Sequence, residues 1–468
     1  MQTSLIYNPE DTICAIATPA GTGAIAVIRI SGPDAFAMTD RIWKGKSIAA
    51  TATHTAHLGY IIDPTSGEPV DQAVATVFRG PKSFTGDDTV ELSIHGSRWI
   101  QRRLLTILQS LGARMALPGE FTRRAYTAGH LDLAEAEAVA DIIAASSEAA
   151  HRLAMSQLRG EFSNHIATLR SDLVDLTALL ELELDFSEED LEFASRTRLR
   201  ELAQTIHTQL SGLADSYTAG ANIKDGIPVA IIGPTNAGKS SLLNALLNDD
   251  RAIVSDIHGT TRDIVEDTVE IGPYLVRFRD TAGIRDTADA IESIGIERSK
   301  TAARQAAVVI YMIDAQAPVS IEDITAQLGD IPPSHIILAI NKTDIDAQRA
   351  DAVAAEIAAA LPHCAIVNIS AKERTALDAL RDAILGLIEK QLPDSGQDII
   401  VTNARHAQAL RAAADSAQAV IQSLDSGIPA DLIAQDLRET IHHLSSITGE
   451  ITPTEVLGSI FSRFCIGK

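Results

Sequence analysis

The stretch Gly233-Pro-Thr-Asn-Ala-Gly-Lys-Ser-Ser241 limits this chain more than any other. It fits G-x-x-x-x-G-K-[ST]. An apolar run, Ile227 to Ile232, leads into it and reads as a buried strand; Leu242 to Leu247 follows and reads as an amphipathic helix. A strand, a Gly-rich loop and a helix in that order make a phosphate-binding loop. Glycines let backbone N–H groups turn onto phosphate oxygens, and the helix N-terminus adds a favourable dipole. Within it, Asn236, Ala237, Gly238, Lys239, Ser240 and Ser241 are candidate nucleotide contacts. Lys239 reaches for the β/γ-phosphates and Ser240 for Mg²⁺.

Three further motifs follow in order, each expected at a strand end. Asp280-Thr281-Ala282-Gly283 closes an apolar segment; its Asp suits the Mg²⁺ shell and its Gly N–H the γ-phosphate. Asn341-Lys342-Thr343-Asp344 offers a carboxylate that accepts from guanine N1 and the exocyclic amine, a donor pair adenine lacks. Ser370-Ala371-Lys372 suits backbone contact with guanine O6. Between the first two motifs lies Gly259-Thr260-Thr261-Arg262-Asp263, a switch-like loop in which Thr261 is placed to bind Mg²⁺. The expected ligand is therefore GTP, or GDP after hydrolysis. Where Ras-like GTPases carry a water-positioning glutamine, this chain has Ile284, and an aliphatic side chain cannot orient water. Asp286, Asp289 and Glu292 follow, and the residues alone do not choose among them.

With 468 residues, about three domains are expected. Residues 12–30 read as strand, Gly-rich turn, strand, with Gly21-x-Gly23 as the turn. Further strands are expected at 74–78 and 89–95, with helices near 34–43 and 98–110, giving an α+β module that ends near Gly119. From Glu120 to about Gly220 the pattern is helical. The stripes Leu133/Ala136/Val139/Ala140/Ile143, Leu173/Leu176/Leu180/Leu184 and Leu199/Leu202/Ile206/Leu210/Leu213 read as core. The run Glu188-Glu189-Asp190 reads as a solvated loop between helices. From Ile227 to Leu392 strands and helices alternate, the mark of a mainly parallel sheet. Strands are expected near 228–232, 267–271, 275–279, 307–313, 335–340 and 365–369. Helices return over 404–424, 431–445 and 454–464. The expected architecture is multidomain: 1–119 an α+β domain, 120–220 the first part of an all-α helical domain, 221–392 an α/β P-loop domain inserted into it, and 393–468 its second part. Two separate helical domains is the other arrangement.

The net charge of −23 argues against non-specific coating of nucleic acid. Arg102, Arg103, Arg114, Arg123 and Arg124 are the densest basic positions, read as solvated helix faces and ion pairs unless a local patch collects them. Three scattered cysteines, Cys14, Cys364 and Cys465, fit a reducing compartment. No apolar run approaches the roughly 20 residues of a spanning helix and no signal peptide is evident, so a cytoplasmic protein is expected.

Taken together, Asn236, Gly259-Thr-Thr-Arg-Asp263, Asp280 to Arg285, Glu292-Ser-Ile-Gly-Ile-Glu297 and the terminal Phe464-Cys-Ile-Gly-Lys468 resemble the MnmE (TrmE) family of tRNA-modification GTPases, with a TrmE-Era-EngA-like G domain. Ser83 to Asp88, Pro118 to Arg123 and Leu131 to Glu137 extend the resemblance over the whole chain. The resemblance implies G domains activated by K⁺, with Asn236, Ser255, Ile257 (through its carbonyl) and Thr260 as K⁺ ligands and Glu292 as the catalytic glutamate. It implies a homodimer and an N-terminal domain that binds 5-formyl- or 5,10-methylene-tetrahydrofolate. Arg29, Glu91 and Lys468 match the folate-site positions, and His130 stands where the family usually has a stronger base. From the residues alone, Arg29 and Glu91 also read as a salt bridge. The resemblance implies an FAD-dependent MnmG/GidA-type partner, in a heterotetramer or larger complex, adding a carboxymethylaminomethyl group to C5 of the wobble uridine of certain tRNAs. Cys465 has catalytic and structural readings; its context fits a prenylation box poorly. The competing function is a regulatory GTPase switch in ribosome assembly, of the Era or EngA kind. That reading expects an RNA-binding module after the G domain, and no G-x-x-G loop follows residue 398.

Overall fold

The computed structural model describes residues 7–185, 196–249, 267–278, 301–392 and 399–467. The chain divides into two compact units. One holds residues 1–144, 154–208 and 412–468; the other holds 145–153 and 209–411.

The first unit opens with β1 (Ile13–Ile16) and β2 (Ile25–Ser31), followed by α1 (Ala35–Ile42), β3 (Trp43–Lys44), β4 (Thr55–Ile62), β5 (Pro69–Phe78) and β6 (Thr89–His95). Then come α2 (Arg98–Ser110), β7 (Arg114–Met115), α3 (Glu120–Thr127) and α4 (Leu133–Ala144). The strands form one seven-stranded sheet in the order β3-β4-β5-β6-β2-β1-β7. β1 and β2 pair antiparallel through the Gly21–Gly23 turn, as expected. Alternation puts Ile28, Ile30, Ala75, Val77, Leu92 and Ile94 on one face, where Phe36 and Ile42 of α1 and Leu104 and Leu108 of α2 close the core.

β4 was not expected from the sequence. Its apolar residues Leu58 and Tyr60 lie on the open face of the sheet, the reverse of a simple buried alternation. Gly59 faces the covered side, where a Cβ would collide with the indole of Trp43.

Helices make up the rest of this unit: α5 (Glu148–Leu158, its first half in the other unit), α6 (Glu161–Asp185) and α7 (Arg196–Asp215, its last turns likewise). The chain returns as α13 (Ala404–Asp425, its first turns in the other unit), α14 (Ala430–Thr448) and α15 (Thr454–Phe461). Helix α6 packs against α14. Leu173, Leu176 and Leu180 are buried on α6, and Leu437, Leu444 and Ile447 on α14. Arg170 pairs with Glu450 at 2.9 Å and Arg200 with Asp425 at 2.6 Å. The helical segments flanking the insertion therefore form one domain, not two.

Some expected core positions fail. Ile143 is 48% exposed, and Val139 and Leu202 are half-buried. Helix α4 ends at Ala144, and Ile143 and Ala144 in its last turn are exposed. Helix α15 ends at Phe461 rather than Phe464, because the chain turns back at Ser462 to fold Phe464 onto Phe461, ring centroids 5.4 Å apart. Leu184 keeps its helical place, but its side chain, like the acidic run 188–190, lies outside the described residues.

The second unit contains α8 (Tyr217–Asp225), β8 (Ile227–Ile232), α9 (Lys239–Asp249), β9 (Asp267–Ile271), β10 (Tyr274–Phe278) and β11 (Val308–Asp314). It continues with α10 (Ile321–Leu328), β12 (Ile336–Asn341), α11 (Ala347–Ala360), β13 (Ala365–Asn368) and α12 (Leu377–Gln391). The six strands run β13-β12-β11-β8-β10-β9, and all pairs are parallel except β9–β10. Strands β8, β11 and β12 are buried on both faces, which explains their unbroken apolar runs. Val229, Ile231 and Ile310 point into one core with Leu242, Leu246 and Ile384; Ala230, Ile232 and Tyr311 point into the other with Val353 and Ile357. This is an α/β P-loop domain inserted between the halves of the helical domain. Among the described residues no helix is long and apolar enough to cross a membrane.

Candidate nucleotide and folate sites

In an open parallel sheet, ligands gather at the carboxyl ends of the strands. The loop 233–238 follows β8, Asp314 ends β11, Asn341 ends β12 and Ser370 follows β13. Register places Asp314 beside Asn341 on neighbouring strands. The motifs read separately in sequence thus meet at one edge.

Asn341 joins them. It is buried, and its Nδ2 donates to the Ala237 carbonyl at 2.8 Å while its Oδ1 accepts from Ala371 N at 2.9 Å. One side chain thereby fixes the phosphate loop to the Ser370–Lys372 loop. Gly233 (φ +137°) and Gly238 (φ +101°) adopt conformations that disfavour a side chain. A Cβ on Gly233 would sit 2.5 Å from the Met312 carbonyl oxygen, and one on Gly238 would collide with Asn341 Nδ2. Asn236 also has positive φ, +63°. Asn tolerates that region better than other non-glycine residues, so the backbone alone gives a reason for Asn here.

Lys239 Nζ donates to the carbonyls of Gly233 and Pro234, each at 2.8 Å, and burial pushes its pKa down. A phosphate oxygen among these amides would offset that desolvation and favour the charged form. Asp344 accepts from Ser370 Oγ at 2.5 Å, and this bond is the main cause that holds its carboxyl below the usual range. Ser370 Oγ also accepts from Glu373 N at 3.1 Å, which orients the hydroxyl towards Asp344. Lys342 (φ +69°) pairs its Nζ with Asp314 Oδ2 at 2.6 Å. Sequence reasoning missed Asp314; the signal was an acidic residue ending an otherwise wholly apolar strand. Lys372 is exposed. Ser240 and Ser241 open α9. Ser255, Ile257, Thr260, Thr261, Asp280, Thr281, Ala282, Gly283, Ile284 and Glu292 lie outside the described residues.

In the first unit, Arg29 and Glu91 are cross-strand partners on β2 and β6, and their side chains pair at 2.8 Å. Arg29 also donates to the Gly467 carbonyl at 3.3 Å and lies over Phe121 and Phe84, 5.4 and 5.9 Å from the ring centroids. The salt bridge expected from the residues alone is thus present, half-buried, with the Gly467 carbonyl against it. A planar heterocycle fits such surroundings: aromatic rings, a carboxylate acceptor and a guanidinium donor converge. The loop 80–88 links this pair to His130. Phe84 comes from it, and the His130 imidazole lies beside Gly86. Lys468 lies outside the described residues, and Cys465 is exposed.

The basic positions split. Arg103 pairs with Asp63, Arg114 with Asp11 and Glu120, and Arg124 with Asp87 and Glu120. Arg123 stacks 3.7 Å over Tyr7. Arg102 stays exposed.

Known proteins decide the family. Residues 133–465 match the profile described as the MnmE helical domain, and residues 12–130 match that of the GTP-binding protein TrmE N-terminus. The chain belongs to the MnmE family. It is 49% identical over 474 residues to the tRNA modification GTPase MnmE of Parabacteroides distasonis, covering 98% of this chain and 100% of that one. To the MnmE of Cytophaga hutchinsonii it is 45% identical over 468 residues, covering 100% of both. Among solved structures, Aquifex aeolicus Era bound to GDP.AlF4- aligns with 40% of this chain and 65% of that chain at 31% identity, with a TM-score of 0.28. The resemblance to the MnmE family that the motifs carry along the whole chain is borne out.

Proposed function

We propose that the chain is a GTP hydrolase of tRNA modification, activated by K⁺. The observation that carries the nucleotide part is the position of Asn341, which ties the phosphate loop to the Ser370–Lys372 loop with Asp344 beside it. Asp344 accepts from guanine N1–H and the amine, the Ser370–Lys372 backbone faces O6, and Lys239 leaves its loop carbonyls for the β/γ-phosphates. Ser240 and Thr261 would hold Mg²⁺, with Asp280 in its shell; Asn236, Ser255, the Ile257 carbonyl and Thr260 would hold K⁺. Together these cations offset the negative charge that grows on the phosphates during transfer. Glu292 orients the attacking water, a task Ile284 cannot perform. Hydrolysis faster in KCl than in NaCl, and lost in Glu292→Ala with GTP binding kept, is the expected outcome. Equal rates in the two salts would sink the K⁺ assignment.

On this reading residues 1–119 bind folate and dimerise, 221–392 are the G domain, and 120–220 with 393–468 form the helical domain. With an FAD-dependent MnmG/GidA-type partner, the homodimer adds carboxymethylaminomethyl to C5 of the wobble uridine. Arg29 and Glu91 grip the folate. His130 and Lys468 complete the site. Calorimetric titration with 5-formyl-tetrahydrofolate tests this, and absence of heat counts against it. Nucleoside analysis of tRNA from a deletion strain separates this reading from a ribosome-assembly switch, which leaves the wobble-uridine profile normal.

A further inference from the structure

One surface of the first unit has no part in the sites above. Helix α2 starts at Arg98, and Ser97 Oγ caps it by accepting from Trp99 N at 3.3 Å. Gln101, Leu104, Ile107 and Leu108 face the core. The opposite face carries Arg98, Trp99, Arg102 and Arg103, neighbours at i, i+3 and i+4. Of the two tryptophans in the chain, Trp43 is buried and Trp99 is 65% exposed. An exposed indole offers a large flat apolar face with a polar N–H edge, the kind of surface found at contact sites.

The charge around it is unusual for a chain of net −23. Arg103 is matched by Asp63, and the exposed His95 imidazole lies in hydrogen-bond contact with Asp71 at 2.7 Å. Arg98 and Arg102 have no carboxylate partner among the described residues, which leaves two unmatched guanidinium groups flanking the indole. The patch is also rigidly mounted. Gly23 N donates to Gly96 O at 3.1 Å, Gly96 N to Ala24 O at 3.2 Å, and Gln101 Nε2 to Gly21 O at 3.2 Å. A Cβ on Gly96 would strike the Gly23 backbone. The Gly21–Gly23 turn, which no nucleotide site uses, thus holds the start of α2 in place, and Ile25, opposite His95, stays 65% exposed next to it.

We propose that the Arg98–Trp99–Arg102 face of α2 docks RNA, at an unpaired stretch of a folded RNA such as a tRNA loop. Trp99 stacks on an unstacked base, which every base allows, and Arg98 and Arg102 contact the flanking phosphates. The deep, narrow major groove of an A-form stem offers no such stacking, so the unpaired region is the target. This inference rests on the reading that the chain acts on tRNA.

The test is anisotropy of a labelled, unmodified tRNA transcript with the full-length chain over a series of KCl concentrations. Trp99→Ala weakens binding about 5- to 100-fold, and Trp99→Phe keeps most of it. Arg98→Gln with Arg102→Gln lowers the slope of log K against log salt by about 1.4 to 1.8. Binding within twofold of wild type in both variants, with the slope unchanged, overturns the inference. So does a changed oligomeric state by sedimentation with RNA affinity intact, which would make the patch a protein contact. Wild-type protein that fails to bind tRNA overturns it as well. The wobble-nucleoside profile of a deletion strain judges the underlying reading separately: a profile lacking the modification, together with normally binding variants, removes this surface alone.

Discussion

At the scale of residues, the second unit is held by side chains that each serve two loops. Asn341 faces the phosphate loop with its amide nitrogen and the Ala371 amide with its oxygen. Asp344 is the group with a chemical preference. Guanine presents two donors, and a carboxylate offers acceptors only. Asp344→Asn replaces one acceptor by a donor, which clashes with the guanine amine and suits the carbonyl of xanthine. Competition binding is expected to show GTP affinity lowered by about 10²-fold or more and XTP affinity raised. If GTP and XTP affinities are both unchanged, Asp344 does not face the base. The Ser370 hydrogen bond depresses the Asp344 pKa from 3.8. A depressed carboxyl contributes stability that is fully present above its unfolded pKa and is lost as pH falls through the folded value. The bond to Ser370 therefore stays intact down to pH 5. A fall in GTP affinity between pH 8 and 5 that Ser370→Ala abolishes would contradict this.

At the scale of elements, the glycines and strand ends decide the geometry. Gly238→Ala drives a methyl group into Asn341 Nδ2 and strains a φ of +101°. It is expected to lower GTP affinity more than tenfold and the melting temperature of the protein by several degrees, as about 1–3 kcal/mol of backbone strain implies. Affinity and melting both at wild-type level would show that the loop relaxes freely. Much of this was legible in the sequence. Strands β8, β11 and β12 are unbroken apolar runs of strand length, as a doubly covered sheet requires, and the motifs at the ends of β8 and β12 mark them out. Strand β4 was not legible, because Leu58 and Tyr60 lie on its open face and Gly59 on its covered one. Ile143 misled for the opposite reason: periodicity marks a stripe but cannot say where the partner surface stops. Asp314 escaped because its role depends on Lys342, 28 residues away in sequence and adjacent only through parallel strand pairing. The Arg29–Glu91 pair was legible as a salt bridge, whereas the carbonyl of Gly467 beside it depends on a chain reversal that no local pattern encodes.

At the scale of the molecule, the first unit is assembled from distant parts of the sequence. Phe461 and Phe464 bury against Leu133 and Ala136, Tyr126 Oη donates to the Gly449 carbonyl at 2.7 Å, and Gly467 lies against the Ile16 backbone, where a Cβ would not fit. Removing residues 464–468 uncovers Leu133 and takes the carbonyl from Arg29. The truncated protein is expected to lose about 2–5 kcal/mol in the first unit and at least tenfold in affinity for formyl-tetrahydrofolate, while GTP binding is unchanged. Folate affinity at wild-type level in a folded truncated chain would detach this segment from the site.

The same arrangement sets an order of events during synthesis. Domains fold as units while the chain emerges. The segment 209–411 is complete well before residues 461–467 are made, so the nucleotide-binding unit can reach its native state on the ribosome. The earlier-made sheet and α4, in contrast, lack their cover over the Arg29–Glu91 pair and over Leu133 and Ala136 until those residues clear the exit tunnel. A prematurely stopped translation product would therefore bind GTP through a finished domain while its first-made domain still lacked its final cover. The Gly467 carbonyl on Arg29 is thus among the last contacts that domain gains.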